Sequence, residues 1–183
     1  MKNIILISGK ARSGKDTSAK YIKEQLESEG YRVVIDRFAK YIKNYLKDYY
    51  EWDGVTKNND IREKLQQLGT EVIKEKLNYT SFHARRLSED FQIVQDDFDY
   101  FLVPDLRFPD EVYTMKAMFG DKVKTLRIER PQDFTGGLTK EHLQHKSETA
   151  LNDFNFDAEV FNYGTLSELW GELDMYLNSI IYF

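Results

Sequence analysis

The 183-residue sequence has no cysteine. That excludes a disulfide framework and any thiolate metal site. It has no apolar run approaching the length of a membrane-spanning helix, so a membrane partner is not expected. It has no excess of positive charge. The formal net charge is −5, which argues against a dedicated nucleic-acid surface. It does not argue against binding small anions, because a phosphate site needs only a local cluster of donors. No repeat and no low-complexity tract is visible. The start, Met1 to Ile7, is apolar but runs into Ser8-Gly9-Lys10 with no small-residue cleavage site. It therefore reads as a first strand rather than a signal peptide, and a cytoplasmic location is the expectation.

What is present suits one domain over residues 1–183, since 41% of the residues are hydrophobic and 14% aromatic. That is enough apolar material for a core. Asn3 to Ile7 is a β-rich run without alternation, as in a strand covered on both faces. From Asp16, apolar residues at helical spacing (Ala19, Ile22, Leu26) run until Gly30. Tyr31 to Ile35 reads as a second strand and Phe38 to Tyr50 as a helix. Asp60 with Glu63 resembles a capping box ahead of a stripe at Ile61, Leu65, Leu68, Val72 and Leu77. Further helices are expected over Ser81 to Val94, from Pro109, and after Thr165, with strands at Tyr100 to Val103, Val123 to Ile128 and Ala158 to Phe161. Strands alternating with helices imply α/β architecture, a parallel sheet flanked by helices in three layers. The polar segment from Pro131 to Asp153 contains Gly136-Gly137 and is too long for an ordinary connection. Such segments commonly serve as lids.

The strongest signal is Gly9-Lys10-Ala11-Arg12-Ser13-Gly14-Lys15-Asp16-Thr17. Glycine, four residues, then Gly-Lys is the spacing of a phosphate-binding loop. Glycines let the backbone wrap a phosphate with N–H groups pointing inward, the next helix adds its positive end, and Lys15 reaches the β- and γ-phosphates. The pattern arises by chance in roughly one chain in twenty of this length, so its placement directly after a strand and before a helix carries much of its weight. One residue departs from the usual pattern. Where Ser or Thr would bind Mg²⁺, the chain has Asp16, whose carboxylate can serve a hard cation directly or through water.

The loop resembles that of the deoxynucleoside monophosphate kinases of phages and bacteria, in which Gly-Lys-Asp is the usual form. Further segments are similar in the same order. These are Phe38-Ala39 with Lys43, Arg62 through Glu71, Asp105-Leu-Arg107-Phe-Pro-Asp-Glu111, and His145-Lys-Ser-Glu148 leading to Asn162-Tyr-Gly-Thr-Leu166. Animal-type phosphomevalonate kinases share the loop form and a similar segment before the last helix. The resemblance implies a P-loop NTPase fold of the nucleoside monophosphate kinase type. It implies Mg-ATP as donor and a (deoxy)nucleoside monophosphate as acceptor. ATP is expected over Gly9, Ser13, Gly14, Lys15, Asp16 and Thr17, with Asn162 nearby. The acceptor is expected among the helices of about residues 38–94, at Phe38, Lys43, Arg62 and Arg107. Asp105, at a strand end where parallel sheets place ligands, would help Asp16 hold Mg²⁺.

Arg107 suits bidentate grip on phosphate. Arg12 within the loop and Arg130 at the start of the lid are candidates for offsetting transition-state charge. Phe38, Tyr41 and Trp52 could wall the acceptor, although aromatic residues at helical spacing are more often core. His142 and His145 lack acidic partners spaced as in zinc patterns and read as polar groups of the lid. A phosphomevalonate-like acceptor and a poorly catalytic nucleotide-binding regulator are the alternatives. A guanine-specific switch would carry Asn-Lys-x-Asp, and Lys57-Asn58-Asn59-Asp60 does not fit it. Monomer and homodimer both remain open.

Overall fold

The computed structural model describes residues 1–56, 58–130 and 144–181. Five strands, β1 (Asn3–Ser8), β2 (Val33–Ile35), β3 (Tyr100–Val103), β4 (Val123–Glu129) and β5 (Ala158–Phe161), form one sheet in the order β2-β3-β1-β4-β5. All four pairings are parallel. The helices are α1 (Lys15–Ser28), α2 (Lys40–Tyr50), α3 (Asn59–Gln66), α4 (Phe82–Val94), α5 (Pro109–Phe119), the short α6 (Lys146–Thr149) and α7 (Leu166–Ile181).

Side chains of a strand alternate between the two faces of its sheet, and β1 shows why its run is continuously apolar. Ile5 and Ile7 pack with Ala19, Ile22 and Leu26 of α1 and Leu169 and Leu173 of α7. Ile4 and Leu6 pack on the opposite side with Leu87 and Phe91 of α4 and Val112 and Met115 of α5. Both faces are covered, so the central strand has no polar side, as expected of a parallel sheet. Thr165 and Glu168 cap α7 reciprocally, with Thr165 N–H donating to the Glu168 carboxylate at 3.2 Å and Glu168 N–H to Thr165 Oγ1 at 3.3 Å.

Three expectations are corrected in detail. The cap of α3 is Asn58, whose Oδ1 accepts from Ile61 N–H at 2.9 Å, and not Asp60. Asn58 precedes the first helical residue, and a short polar side chain there satisfies an orphan amide. The helix continues from Gln67 to Lys76 as a π-helix, in which bonds span five residues. Leu77 N–H donating to Val72 C=O at 2.9 Å shows this spacing. The wider turn rotates the buried face. Gly69, Thr70, Ile73 and Lys74 are buried where the 3.6-residue stripe pointed to Val72 and Leu77, and Leu77 is exposed. Strand β2 and helix α2 each begin two residues later than expected. Of the expected lid over 131–153, residues 131–143, with Gly136, Gly137, Lys140 and His142, lie outside the described residues. No helix among the described residues is long and apolar enough to cross a membrane.

Candidate active site

The loop between β1 and α1 has a conformation that its sequence dictates. Gly9 has φ +147° and Gly14 φ +107°. A Cβ on Gly9 would lie 2.4 Å from Ile128 O, and one on Gly14 would lie 2.9 Å from Asn162 Nδ2. Only glycine fits either place. Arg12 takes a left-handed φ of 64°. Asn162, buried at the end of β5, donates from Nδ2 to Ser13 C=O at 2.8 Å and accepts from Gly164 N–H at 3.2 Å. It ties the loop to the β5–α7 turn.

Lys15 turns inward. Its Nζ donates to Gly9 C=O and Lys10 C=O, each at 2.7 Å. Burial pushes its pKa down to about 8, and the Arg107 guanidinium adds to the effect. Lys10 Nζ donates to Glu148 C=O at 2.6 Å and Asn152 Oδ1 at 2.5 Å, and burial lowers its pKa as well. Arg130, the last described residue before the expected lid, donates to Arg12 C=O at 3.3 Å.

Asp16 and Thr17 are exposed in the first turn of α1. The Asp16 carboxylate is ion-paired with Arg37. Asp105, beyond the end of β3, accepts from Phe38 N–H at 2.9 Å and Ala39 N–H at 3.0 Å, one with each oxygen. It thereby fixes the start of α2 against β3. These oxygen donors are of the type Mg²⁺ takes. Asp16, exposed and paired with Arg37, would exchange that ion pair to meet it directly, whereas Asp105, with both oxygens on amides, suits an outer position through water.

Two cavities meet at the loop. One, of about 310 Å³, lies between the loop and the β5–α7 turn, against Thr17, Arg130, Asn162, Leu166 and Leu169. The other, of about 450 Å³, runs from the loop between α2 and α3. Arg12, Lys15 and Asp16 line both. The larger cavity collects Arg37, Lys43, Arg62 and Arg107, with Phe38, Gln66, Thr70 and His83. Arg62 is half-buried, and no hydrogen bond or ion pair of its guanidinium is found among the described residues. Trp52 and Tyr41 stand outside the lining. Trp52 Nε1–H donates to Thr56 C=O at 2.7 Å, and Tyr41 O–H to Asp90 at 2.6 Å.

Sequence reasoning passed over several residues here. Arg37 lies two residues beyond the end of β2, and the rule that ligands gather at the carboxyl ends of parallel strands would have marked it. Glu111 lies in the first turn of α5, where an acid is ordinarily exposed. It is in fact buried, accepting from Arg107 N–H at 2.8 Å and Phe108 N–H at 3.0 Å, with Lys74 Nζ 3.9 Å away. Burial pushes its pKa up to about 7 against the pull of Lys74. His83 is buried, with Nε2 3.2 Å from Gly69 C=O, and burial lowers its pKa. The ring is neutral at pH 7, with Nε2–H donating. Glu148 closes on the loop from the other side. Its carboxylate accepts from Ala11 N–H at 3.0 Å and is ion-paired with Arg107. His145 caps α6 by accepting from Ser147 N–H at 3.2 Å.

A loop of this form between β1 and α1 of a parallel 2-3-1-4-5 sheet defines the P-loop kinase fold. Solved structures with this fold align over nearly the whole chain. An APS kinase of Mycobacterium tuberculosis, solved with AMPPNP and APS, has a TM-score of 0.55 at 13% identity over 97% of both chains. A gluconokinase from Sinorhizobium meliloti also has a TM-score of 0.55 at 13% identity, over 99% of this chain and 94% of that one. A shikimate kinase from Aquifex aeolicus has a TM-score of 0.51 at 13% identity over 96% of both. At such identities the likeness concerns the fold. The family profile of deoxynucleotide monophosphate kinase matches residues 3–60, from β1 through the first residues of α3. No curated protein sequence matches the chain.

Proposed function

We propose that this protein is an ATP-dependent kinase that moves the γ-phosphoryl of Mg-ATP onto a (deoxy)nucleoside monophosphate, giving the diphosphate. The observation that carries the reading is the pair of cavities sharing Lys15, with cations gathered in the larger one. A group transfer needs two substrates end to end, and a lysine at the junction can follow the transferring group between them. The family match over residues 3–60 supports the same acceptor class.

The smaller cavity takes the nucleoside end of ATP, beside Asn162 and Leu166. The phosphates lie along the amides of Gly9 to Thr17. Mg²⁺, held by Asp16 and through water by Asp105, would neutralise charge on the β- and γ-phosphates. Arg62, whose guanidinium has no partner among the described residues, takes the acceptor's phosphate together with Lys43. Gln66 and Thr70 follow Arg62 by one and two turns on the same wall. An amide and a hydroxyl there suit the edge of a base better than the carboxylate of phosphomevalonate, which would call for a cation. The acceptor oxygen is already ionised, so the reaction requires no strong base. Catalysis is then positioning plus the charge supplied by Lys15, Arg107 and Arg12.

ADP release measured over a panel of nucleoside and deoxynucleoside monophosphates and phosphomevalonate tests the reading. Acceptor-dependent release is expected with one or more nucleotides. Turnover with phosphomevalonate alone, or no dependence on any acceptor, overturns it.

A further inference from the structure

Glu148 is an anion placed where the donor's own anion has to go. Its side chain is only 9% exposed. One oxygen accepts the N–H of Ala11, in the first half of the phosphate loop, at 3.0 Å. The other is paired with Arg107, whose same nitrogen also donates to Ser147 C=O at 3.3 Å. Its backbone is held as well, since Lys10 of the loop donates to Glu148 C=O at 2.6 Å. A loop amide and a guanidinium facing the lysine of the same loop are the donors that a terminal phosphate would use. Here a carboxylate already has both.

We propose that Glu148 occupies the subsite of the transferring phosphoryl group, and that it makes the donor site discriminate between triphosphate and diphosphate. The inference rests on the donor-site reading above. A nucleoside triphosphate must displace the carboxylate from Ala11 N–H and Arg107, because a second anion left beside it would be repelled in a poorly solvated place. A diphosphate ends one group short and leaves the pairing intact. An internal competitor lowers apparent affinity by the fraction of molecules in which the site is open. The penalty therefore falls on ATP and spares ADP. Arg107 passes from Glu148 to the γ-phosphoryl only when a γ-phosphoryl is there, and it returns once transfer leaves ADP behind.

The test is calorimetric titration of Mg-AMPPNP and Mg-ADP into the full chain and into Glu148→Gln. Glutamine keeps the shape and loses the charge. AMPPNP is expected to bind about tenfold or more tightly to the variant, with ADP unchanged within about twofold. Equal shifts for both nucleotides, no shift, or weaker AMPPNP binding overturns the proposal. Glu148→Ala, with circular dichroism to confirm folding, provides the same comparison if the glutamine variant does not fold. Lys15→Ala separates the two levels of inference. If it binds nucleotides as well as the wild type does, or if the wild type binds neither, the phosphate-loop reading fails and this proposal fails with it. If nucleotide binding depends on Lys15 but Glu148→Gln does not separate AMPPNP from ADP, only the role of Glu148 is lost.

Discussion

The two sides of the site, the phosphate loop proposed for the donor and the larger cavity proposed for the acceptor, are built on opposite plans. On the donor side the main charged and amide groups are already engaged by the protein itself, although Ser13 Oγ is buried without a hydrogen-bond partner among the described residues. Lys15 rests on two loop carbonyls, Asn162 on Ser13, and Glu148 on Ala11 and Arg107. On the acceptor side Arg62 faces a 450 Å³ cavity without such a partner among the described residues, from a helix whose second half is a π-helix. A loop that must hold an ordered shape around one constant group, a polyphosphate, benefits from internal substitutes for that group. A pocket that must select one acceptor keeps its charged side chain available for the acceptor itself, so binding need not first break an internal pair. The contrast makes different demands on mutations in the two halves.

The largest effect should come from the donor side. Lys15→Ala should retain its fold and lose phosphoryl transfer by about a hundredfold or more, the scale for a group that stabilises transition-state charge. Circular dichroism with ADP-release kinetics checks this, and a folded variant at the wild-type rate would remove the basis for the contrast. Next come the two arginines. Arg62→Ala should raise acceptor KM about tenfold or more while kcat changes little, because it contacts a phosphate equally in ground and transition states. Arg107→Ala should instead lower kcat, again on the order of tenfold. Steady-state kinetics on both decides the matter. If KM is untouched in Arg62→Ala, the wall formed by α3 does not hold the acceptor.

Smaller effects concern protons. Glu111 has a folded pKa of about 7, above that of a free glutamate. Between these values the folded state binds a proton that the unfolded state has released, so stability falls as pH rises from about 4.5 to 7 and is level above that. The stability lost over this window should be on the order of 3 kcal/mol, which lowers the melting temperature by roughly 6–12 °C. Glu111→Gln should flatten the curve, and an unchanged slope would place the titration elsewhere. Smallest is the linkage at Lys15. Its pKa of about 8 in the empty loop should rise once phosphate lies beside it. Nucleotide binding at pH 9 should therefore take up as much as about one proton, and at pH 6.5 none through this group. Calorimetry in buffers of different ionisation heat at the two pH values measures this, and equal uptake at both would place the titration elsewhere.

The phosphate loop was legible in the sequence because its parts are contiguous. Gly9 to Thr17 carries its own geometry, and the strand before it and the helix after it could be read from their residues alone. All five strands were found at or near their places for the same reason. The acceptor side is assembled from α2, α3, α4 and the segment after β3, and neither spacing nor composition brings those together. The π-helix was missed because an apolar stripe was matched to 3.6 residues per turn, and nothing in Gln67 to Lys76 announces a longer period. Glu111 shows the same limit for charge. An acid in the first turn of a helix is ordinary on a surface, and only packing against Lys74 and two loop amides reveals that it is buried. Glu148 entered only through a resemblance, since its partners are more than forty and more than a hundred positions away.

The position of β1 has a consequence for how the chain is made. The strand leaves the ribosome before either of its partners, yet it belongs in the middle of the sheet, where Asn3 pairs with Tyr100 and Ile4 with Val123. At about 5–20 residues per second, Ile4 to Ile7 wait several seconds with no edge to join. During that interval the most apolar run of the sheet is an open template for other nascent chains or for a chaperone. Translation speed across residues 36–99, before the first partner of β1 exists, therefore bears on yield.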